Sequence, residues 1–508
     1  MNIENKIPFV GWWIKKDLRI EDNLPLTLAI ESAFKQNIPC YAFWIDEPKA
    51  LVAKEYHCRR DLFLLECLED LKIKLERLGV PLFVMEGDAL ESFHALMDMG
   101  LQELYSHEET GLLWTYKRDQ SILSLLKQRN IPWNESPTNG VVRRLESRDK
   151  WSSIYKKRIS TDPLPIPLLK IPYIKPQYLS LNHVNFCDSL DDSLLFQRCQ
   201  LIQISQQKGG ETEAFKRLDE YLNYGLYSHY LKSISKPTEG AIFGSRLSPY
   251  LAFGCLSSRQ VINTLNKLPT SRSLTALKSR ISWKCHFIQK LENFPDLEDR
   301  EQNSALEKLR PPMNDEEWRA WIEGRTGYPL IDACLRSVHT TGFLNFRMRA
   351  MLMSFSTHLL LKDWRMPAWD LAQSFLDFEP GIHFAQVQMQ AAVTGINTIR
   401  IYSPLKQSLE QDPEGTFIKK WVPELRSVSC ESLHSLEGLP SDYAKPIVPF
   451  LESYQKAKVF LWSSVKSPEA KEQSKVVYKA LGSRKSPRQK AQTKKDAPSP
   501  KKVTIFET

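Results

Sequence analysis

RDLFLLECLEDLKIKLERL, Arg60–Leu78, sets Leu64, Leu65, Leu68, Leu71 and Leu75 at helical spacing with charged residues between them. This is the pattern of an amphipathic helix. Short apolar runs that read as strands flank it: Pro8–Ile14 and Cys40–Ile45 before, Pro81–Met85 and Leu101–Ser106 after. Strands alternating with helices over the first 130 residues predict an α/β fold, a doubly wound parallel sheet with helices on both faces. No GxGxxG follows the first strand, so the dinucleotide fingerprint is absent, and such a domain alone does not announce a cofactor.

Beyond this unit the pattern changes. Ser160–Asp191 is rich in proline (Pro163, Pro165, Pro167, Pro172, Pro176) and reads as a connection. From Gly210 to Leu461 helical runs dominate. Arg347–Leu361, RMRAMLMSFSTHLLL, is apolar on most faces, as expected of a helix at the centre of an all-α domain. The expected division is residues 1–160 α/β, 161–209 linker, 210–465 helical domain and 466–508 tail.

At 508 residues and 42% apolar composition the chain supports two or three cores. It has no stretch of 18 apolar residues, and its start, MNIENKIPFVGWW, lacks a secretory pattern, so a cytoplasmic protein without membrane contact, acting as a monomer, is expected. Nine cysteines without CxxC spacing suggest buried thiols rather than a disulfide framework or a metal site. The net charge of +9 is concentrated at the end: Lys466–Thr508 has twelve Lys/Arg against four Asp/Glu. That composition predicts disorder, serving either solubility or contact with DNA phosphates. Any nucleic-acid site on the folded body is then a local patch.

Four segments carry more specific information. WWIKKDLRIEDN, Trp12–Asn23, ends the first strand and offers Asp22 or Asn23 as a helix cap. SRLSPYLAFGCLS, Ser245–Ser257, brings hydroxyls and backbone N–H groups to a helix start, which suits either a plain cap at Ser248 or a diphosphate. WIEGRTGYPLIDACLRSVHTTGFLNFRMR, Trp321–Arg349, is the most specific, and DPEGTFIKKWVPEL, Asp412–Leu425, follows. Together, over roughly Phe9 to Leu425, they resemble the photolyase/cryptochrome family.

The resemblance implies an N-terminal domain able to host a second, antenna chromophore of unknown type, and a helical domain holding folded-back FAD. It places Tyr230, Ser245, Arg246, Leu247, Ser248, Lys284, Phe346, Arg349, Asp377, Glu379 and His383 around that cofactor. Arg349 would pair with Asp377 beside the flavin ring, a buried guanidinium requiring a carboxylate. It assigns Asp412–Leu425 a structural role. The implied reaction is light-driven electron transfer from reduced flavin to a pyrimidine dimer flipped out of DNA. Trp283 would stack on the lesion and Arg347 would face the DNA strand.

The sequence also departs from the pattern. In SRISWKCHFIQ, Ser279–Gln289, Arg280 stands where repair enzymes carry a glutamate, exchanging an acid for a donor to carbonyls or phosphate. Phe346 replaces an asparagine, and Phe346 and Ala350 stand where a (6–4) photolyase would have histidines. In FEPGIHFAQVQMQAAVTGINTIR, Phe378–Arg400, Gln386, Gln388 and Gln390 occupy a stretch that is tryptophan-rich in relatives. Trp364 matches a middle member of the family's electron-hopping chain, with Trp318 or Trp369 as a further candidate, and His383 or Phe384 falls opposite the flavin. Two readings stay open: a lyase repairing DNA, and a cryptochrome-like blue-light photoreceptor.

Overall fold

The computed structural model describes residues 7–175, 184–202 and 207–482. The sheet contains β1 Phe9–Trp13, β2 Cys40–Asp46, β3 Leu82–Glu86, β4 Leu101–His107, β5 Trp133–Ser136 and β6 Asn185–Cys187. Their order is β5-β4-β1-β2-β3-β6. All neighbours are parallel except β6, which runs antiparallel to β3 through Val84, Met85 and Glu86. The four expected strands are present. Strand β5 was not anticipated because Trp-Asn-Glu-Ser is short and mostly polar. The 161–209 segment is more than a linker: it supplies β6 and the Leu194–Gln200 helix, whose Arg198 bridges Asp46 and Asp61.

The leucine-bearing helix spans Cys58–Glu76 and buries Leu64, Leu65, Leu68, Leu71 and Leu75. Alternation along β1 sends Trp12 to one face of the sheet and Trp13 to the other. Trp13 packs with Phe43, Phe93 and Leu126. Trp12 joins a cluster that also contains Leu218, Tyr221, Tyr250 and Leu277 of the helical region. The two regions therefore share one core rather than touching at their surfaces.

A polar lock reinforces this shared core. Asn23 caps the Leu24–Gln36 helix through Leu26 N–H, while Asp22, at φ 54°, is freed for another task. Its carboxylate accepts from Ser257 Oγ and from Arg259. Arg19 donates to Gly254 O at 2.8 Å and to Asp22 O. Asp17 accepts from Lys15 N–H and meets His107 Nδ1 at 2.8 Å. Burial would raise Asp17, but His107 holds its carboxyl below the ordinary value, and burial lowers His107, so neutral His107 donates Nδ1–H to ionised Asp17.

A second core holds Trp321, Tyr328, Met351, Phe355, Trp364 and Phe384. Within it the Thr-Gly-Tyr-Pro turn is fixed by Asp332, which accepts from Thr326 N–H and Oγ and from Gly327 N–H. The apolar Arg347–Leu361 run forms the Phe346–Ser354 helix and continues as a single π turn, Phe355–Leu359, as deeply buried as its composition predicts. The expectation of disorder from Lys466 onward is wrong for its first part. Pro468–Leu481 is a helix that buries Ala470, Val477 and Leu481 and receives hydrogen bonds from Asn303 Nδ2 at Ala470 O and Ser474 Oγ. The lysine-rich average concealed that apolar stripe. Residues 483–508, which hold the remaining basic run, lie outside the described residues.

Among the described residues, no helix is long and apolar enough to cross a membrane and no cluster of His, Cys, Asp and Glu could hold a metal ion. Gly254 tests the lock. Its φ is +74°, and a Cβ there would lie 2.0 Å from Lys16 O and 2.7 Å from Asp17 Cα. Gly254→Ala is expected to cost about 3 kcal/mol or more, read as a lowered urea midpoint of the purified protein.

Candidate functional site

The helical region encloses a cavity of about 320 Å³, the lower end of the range for small-molecule sites. Two helices form its main walls. The Arg272–Asn293 helix presents Arg280, Trp283, Lys284 and Phe287, while Pro380–Gln390 presents Ile382, His383, Gln386, Val387 and Gln390. The helices approach closely because Gly381 has no side chain: a Cβ there would come within 2.6 Å of Ile288 Cα.

Tyr230, Ser245, Arg246, Ser248, Lys284, Phe346, Arg349, Asp377, Glu379 and His383 all line this cavity, as do Arg280 and Trp283. Residues from five separated stretches of sequence thus converge. Leu247 is buried and does not line it. Ser248 opens the Ser248–Phe253 helix as its first residue, not as its cap, and its hydroxyl lies beside Asp377. Arg347 is outside the lining: its N–H donates to Ile234 O, and its Nε is buried without a hydrogen-bond partner. Trp364 is fully buried away from the cavity, its indole N–H donating to Glu301 at 3.2 Å and its ring 6.3 Å from Phe384. Trp369 lies 4.8 Å from the same Phe384 ring.

The Pro380–Gln390 helix separates the two residues that the sequence offered opposite the flavin. His383 faces the cavity and Phe384 packs into the core. His383 Nε2–H donates to Ala368 O at 2.8 Å, and burial lowers the imidazole to about 4. It is therefore neutral at pH 7, not a cation beside the cofactor. Gln386 and Gln390 line the cavity, whereas Gln388 is a structural clamp that accepts from Gln302 N–H and donates to Leu297 O and Arg300 O.

Arg349 Nη2 reaches Asp377 Oδ2 at 2.9 Å, and its guanidinium lies 3.8 Å from the Phe375 ring centre. Burial pushes the Asp377 carboxyl up, but the charge and hydrogen bond of Arg349, the Ser248 hydroxyl and the charge of Arg246 together hold it below its ordinary value. At the mouth Arg280 lies 5.9 Å from the Trp283 ring and 5.5 Å from that of Phe346, both rings about 40% exposed. Sequence reasoning missed Phe287, Phe343, Phe375 and Asn345. Phe287, one helical turn beyond Trp283, was the one with a positional signal.

The polar atoms of the lining suit FAD. Among the described residues Asn345 Oδ1, Asp377 Oδ1 and Gln386 Oε1 are buried without a hydrogen-bond partner, and Glu379 Oε1 has only the Lys16 ammonium at 3.8 Å. Buried acceptors left unpaired cost free energy, so three around one cavity favour a ligand rich in N–H and O–H donors, which the flavin and adenine rings and the ribityl chain are. Arg246, Lys284 and Arg349 supply positive charge for a diphosphate.

Comparison with known proteins agrees. Residues 10–157 match the family model for DNA photolyase, and 277–463 match the FAD-binding domain of DNA photolyase. The chain belongs to the photolyase/cryptochrome family. It is 27% identical over 481 residues to a cryptochrome DASH of Gloeobacter violaceus, covering 87% of this chain and 93% of that one. It is 25% identical over 453 residues to a deoxyribodipyrimidine photo-lyase of Neurospora crassa, covering 82% and 72%. The fold matches the Synechocystis cryptochrome at 22% identity with a TM-score of 0.77, covering 90% of this chain and 100% of that one. An archaeal photolyase from Sulfolobus tokodaii with two FAD molecules matches at 22% identity with a TM-score of 0.74, covering 89% and 99%. The helical part is thus a FAD-binding domain, and both the photolyase and the cryptochrome readings accord with the chain.

Two substitutions test the ion pair. Arg349→Ala leaves Asp377 buried without its partner and is expected to cost ~3 kcal/mol in urea unfolding. A carboxyl held below its ordinary 3.8 adds stability above that pH and loses it as the pH falls through the folded value. Asp377→Asn should therefore show a shallower decline in urea midpoint than wild type below pH about 4.

Proposed function

We propose that this protein is a light-driven DNA lyase that splits pyrimidine dimers. The observation that carries the reading is the mouth of the flavin cavity, where two half-exposed aromatic rings, Trp283 and Phe346, flank the guanidinium of Arg280. Two aromatic faces at a cavity entrance offer stacking surfaces, and a base or dimer turned out of the duplex is flat enough to use them. When bound, reduced FAD would supply on illumination the electron that opens the dimer and would take it back afterwards.

The protein's own residues would hold the lesion. Trp283 stacks on one face, and Phe346 closes the other side of the entrance. Arg280 donates to the base carbonyls, which removes any need for the acid that other repair enzymes use and places a permanent positive charge near the added electron. Neutral His383 adds no competing proton at pH 7, because its imidazole is lowered to about 4. Arg347, which the resemblance gave to the DNA strand, would act from outside the cavity, where its buried Nε has no partner.

A second cavity, about 240 Å³, lies where the strands end against the helical region and would house the antenna chromophore. Trp13, Trp44 and Trp114 line it, and among the described residues the buried indole N–H of Trp44 has no hydrogen-bond partner. Arg118 is held there by Glu47 and Glu109, over the Trp13 ring at 4.8 Å.

Illumination of the FAD-loaded protein with dimer-containing single- and double-stranded DNA, scoring restored bases, is expected to show repair. Trp283→Ala should weaken lesion binding by about 1–3 kcal/mol without lowering flavin content. Arg280→Ala should reduce repair more than it reduces bound flavin. If wild type repairs nothing while flavin photoreduction is normal in both variants, the photoreceptor reading replaces this one.

A further inference from the structure

Behind the flavin cavity, sharing with it the wall made by Arg246 and Phe343, lies another cavity of about 560 Å³. Its charge is one-sided. Arg217, Arg246 and Lys420 line it, and no Asp or Glu does. Arg217 is pinned by donating to Ser245 O and Gly244 O, which directs it along the back of the Ser245–Ser248 segment. Arg246 lies flat on Phe343, 3.8 Å from the ring centre, with Nε toward Gln207 and a backbone φ of 56° that non-glycine residues adopt at a cost. Among the described residues neither Arg246 nor exposed Lys420 has a carboxylate within 4.0 Å, although the Asp377 charge acts on Arg246 from the flavin side.

The far wall comes from Asp412–Leu425, the segment whose resemblance implied only a structural role. Asp412 accepts from Phe417 N–H and Ile418 N–H at 3.0 Å each, fixing the short Thr416–Trp421 helix so that Lys420 and Trp421 both border the cavity. Trp421 is partly buried against Phe417, with the Lys420 ammonium 5.3 Å from its ring. Arg217 is also met by Glu220 at 3.6 Å, so Arg246 and Lys420 carry the free charge, and two cations with an indole wall and no acid in the lining select a ligand with an aromatic body and a compact negative group. Its volume lies within the range of small-molecule sites.

We propose that this cavity binds a mononucleotide, the phosphate between Arg246 and Lys420 and the base against Trp421. The site is separate from the flavin cavity, and the inference does not depend on the repair reading. Because Arg246 belongs to both walls, a phosphate on its outer side would also restrain the loop that borders the flavin cavity.

The test uses the FAD-loaded protein and equilibrium dialysis with AMP, adenosine and inorganic phosphate as separate probes. AMP should bind one per chain without releasing flavin, and adenosine and phosphate should each bind about tenfold or more weaker. Lys420→Glu, an exposed change, should weaken AMP about tenfold while flavin content stays unchanged. Trp421→Leu should bring AMP towards the affinity of inorganic phosphate; if that variant does not fold, Lys420→Glu still decides. Absence of AMP binding, AMP uptake matched by flavin loss, or affinity unaffected by Lys420→Glu would each overturn the proposal.

Discussion

The carboxylate of Asp22 is the point on which the two halves of the molecule depend. It is 2% exposed, sits on a left-handed residue of the α/β region, and is met by Ser257 and Arg259 of the helical region. A buried charge with both partners in place adds little net stability over an apolar substitute, but removing one partner is costly. The value of such a contact lies in register. Arg19 bonding to Gly254 O, and Gly254 seated against Lys16 O, permit one docking of the Ser245–Ser257 segment on the first loop of the sheet. Cys67 and Cys255, thiols 3.4 Å apart across the same junction, pack as small apolar groups there.

From this docking the site geometry follows. Ser248 precedes Gly254 by less than two helical turns, so fixing Gly254 fixes the hydroxyl beside Asp377. Asp377 in turn orients Arg349. Gly381 brings the Pro380–Gln390 helix onto Ile288, which sets the distance from His383 to the face carrying Arg280 and Trp283. Buried polar contacts thus carry position from the sheet to the cofactor walls, while apolar packing supplies most of the stability.

The sequence was most legible where one physical rule dominated. Leucine spacing located the Cys58–Glu76 helix to within two residues, and apolar runs located four strands. Strand β5 is too polar and too short to register, and β6 exists because Val84–Glu86 offered an unpaired edge, a tertiary fact no local pattern contains. The Pro468–Leu481 helix was hidden by averaging charge over a window in which the apolar residues recur at helical spacing. Motif resemblance gathered distant residues that periodicity could not connect, such as Tyr230 and Asp377 on one cavity. It could not distinguish lining from support: Leu247 and Arg347 lie within the matched segments yet outside the lining.

The exchange of an acid for Arg280 changes the electrostatic character of the entrance. Outside Lys466–Thr508 the chain is nearly neutral, so attraction to DNA must arise locally. A guanidinium between two aromatic rings is well suited to this, since it keeps its charge at any physiological pH and stacks while donating hydrogen bonds. A glutamate in its place would have to be protonated, or find a donor on the lesion, to avoid repelling the nearby phosphates. On the proposed repair reading, Arg280 would attract the strand, orient the carbonyls and stabilise added negative charge. These demands would then need no separate residues, and the phenylalanine at 346 would sit beside a cation that supplies the polar contact.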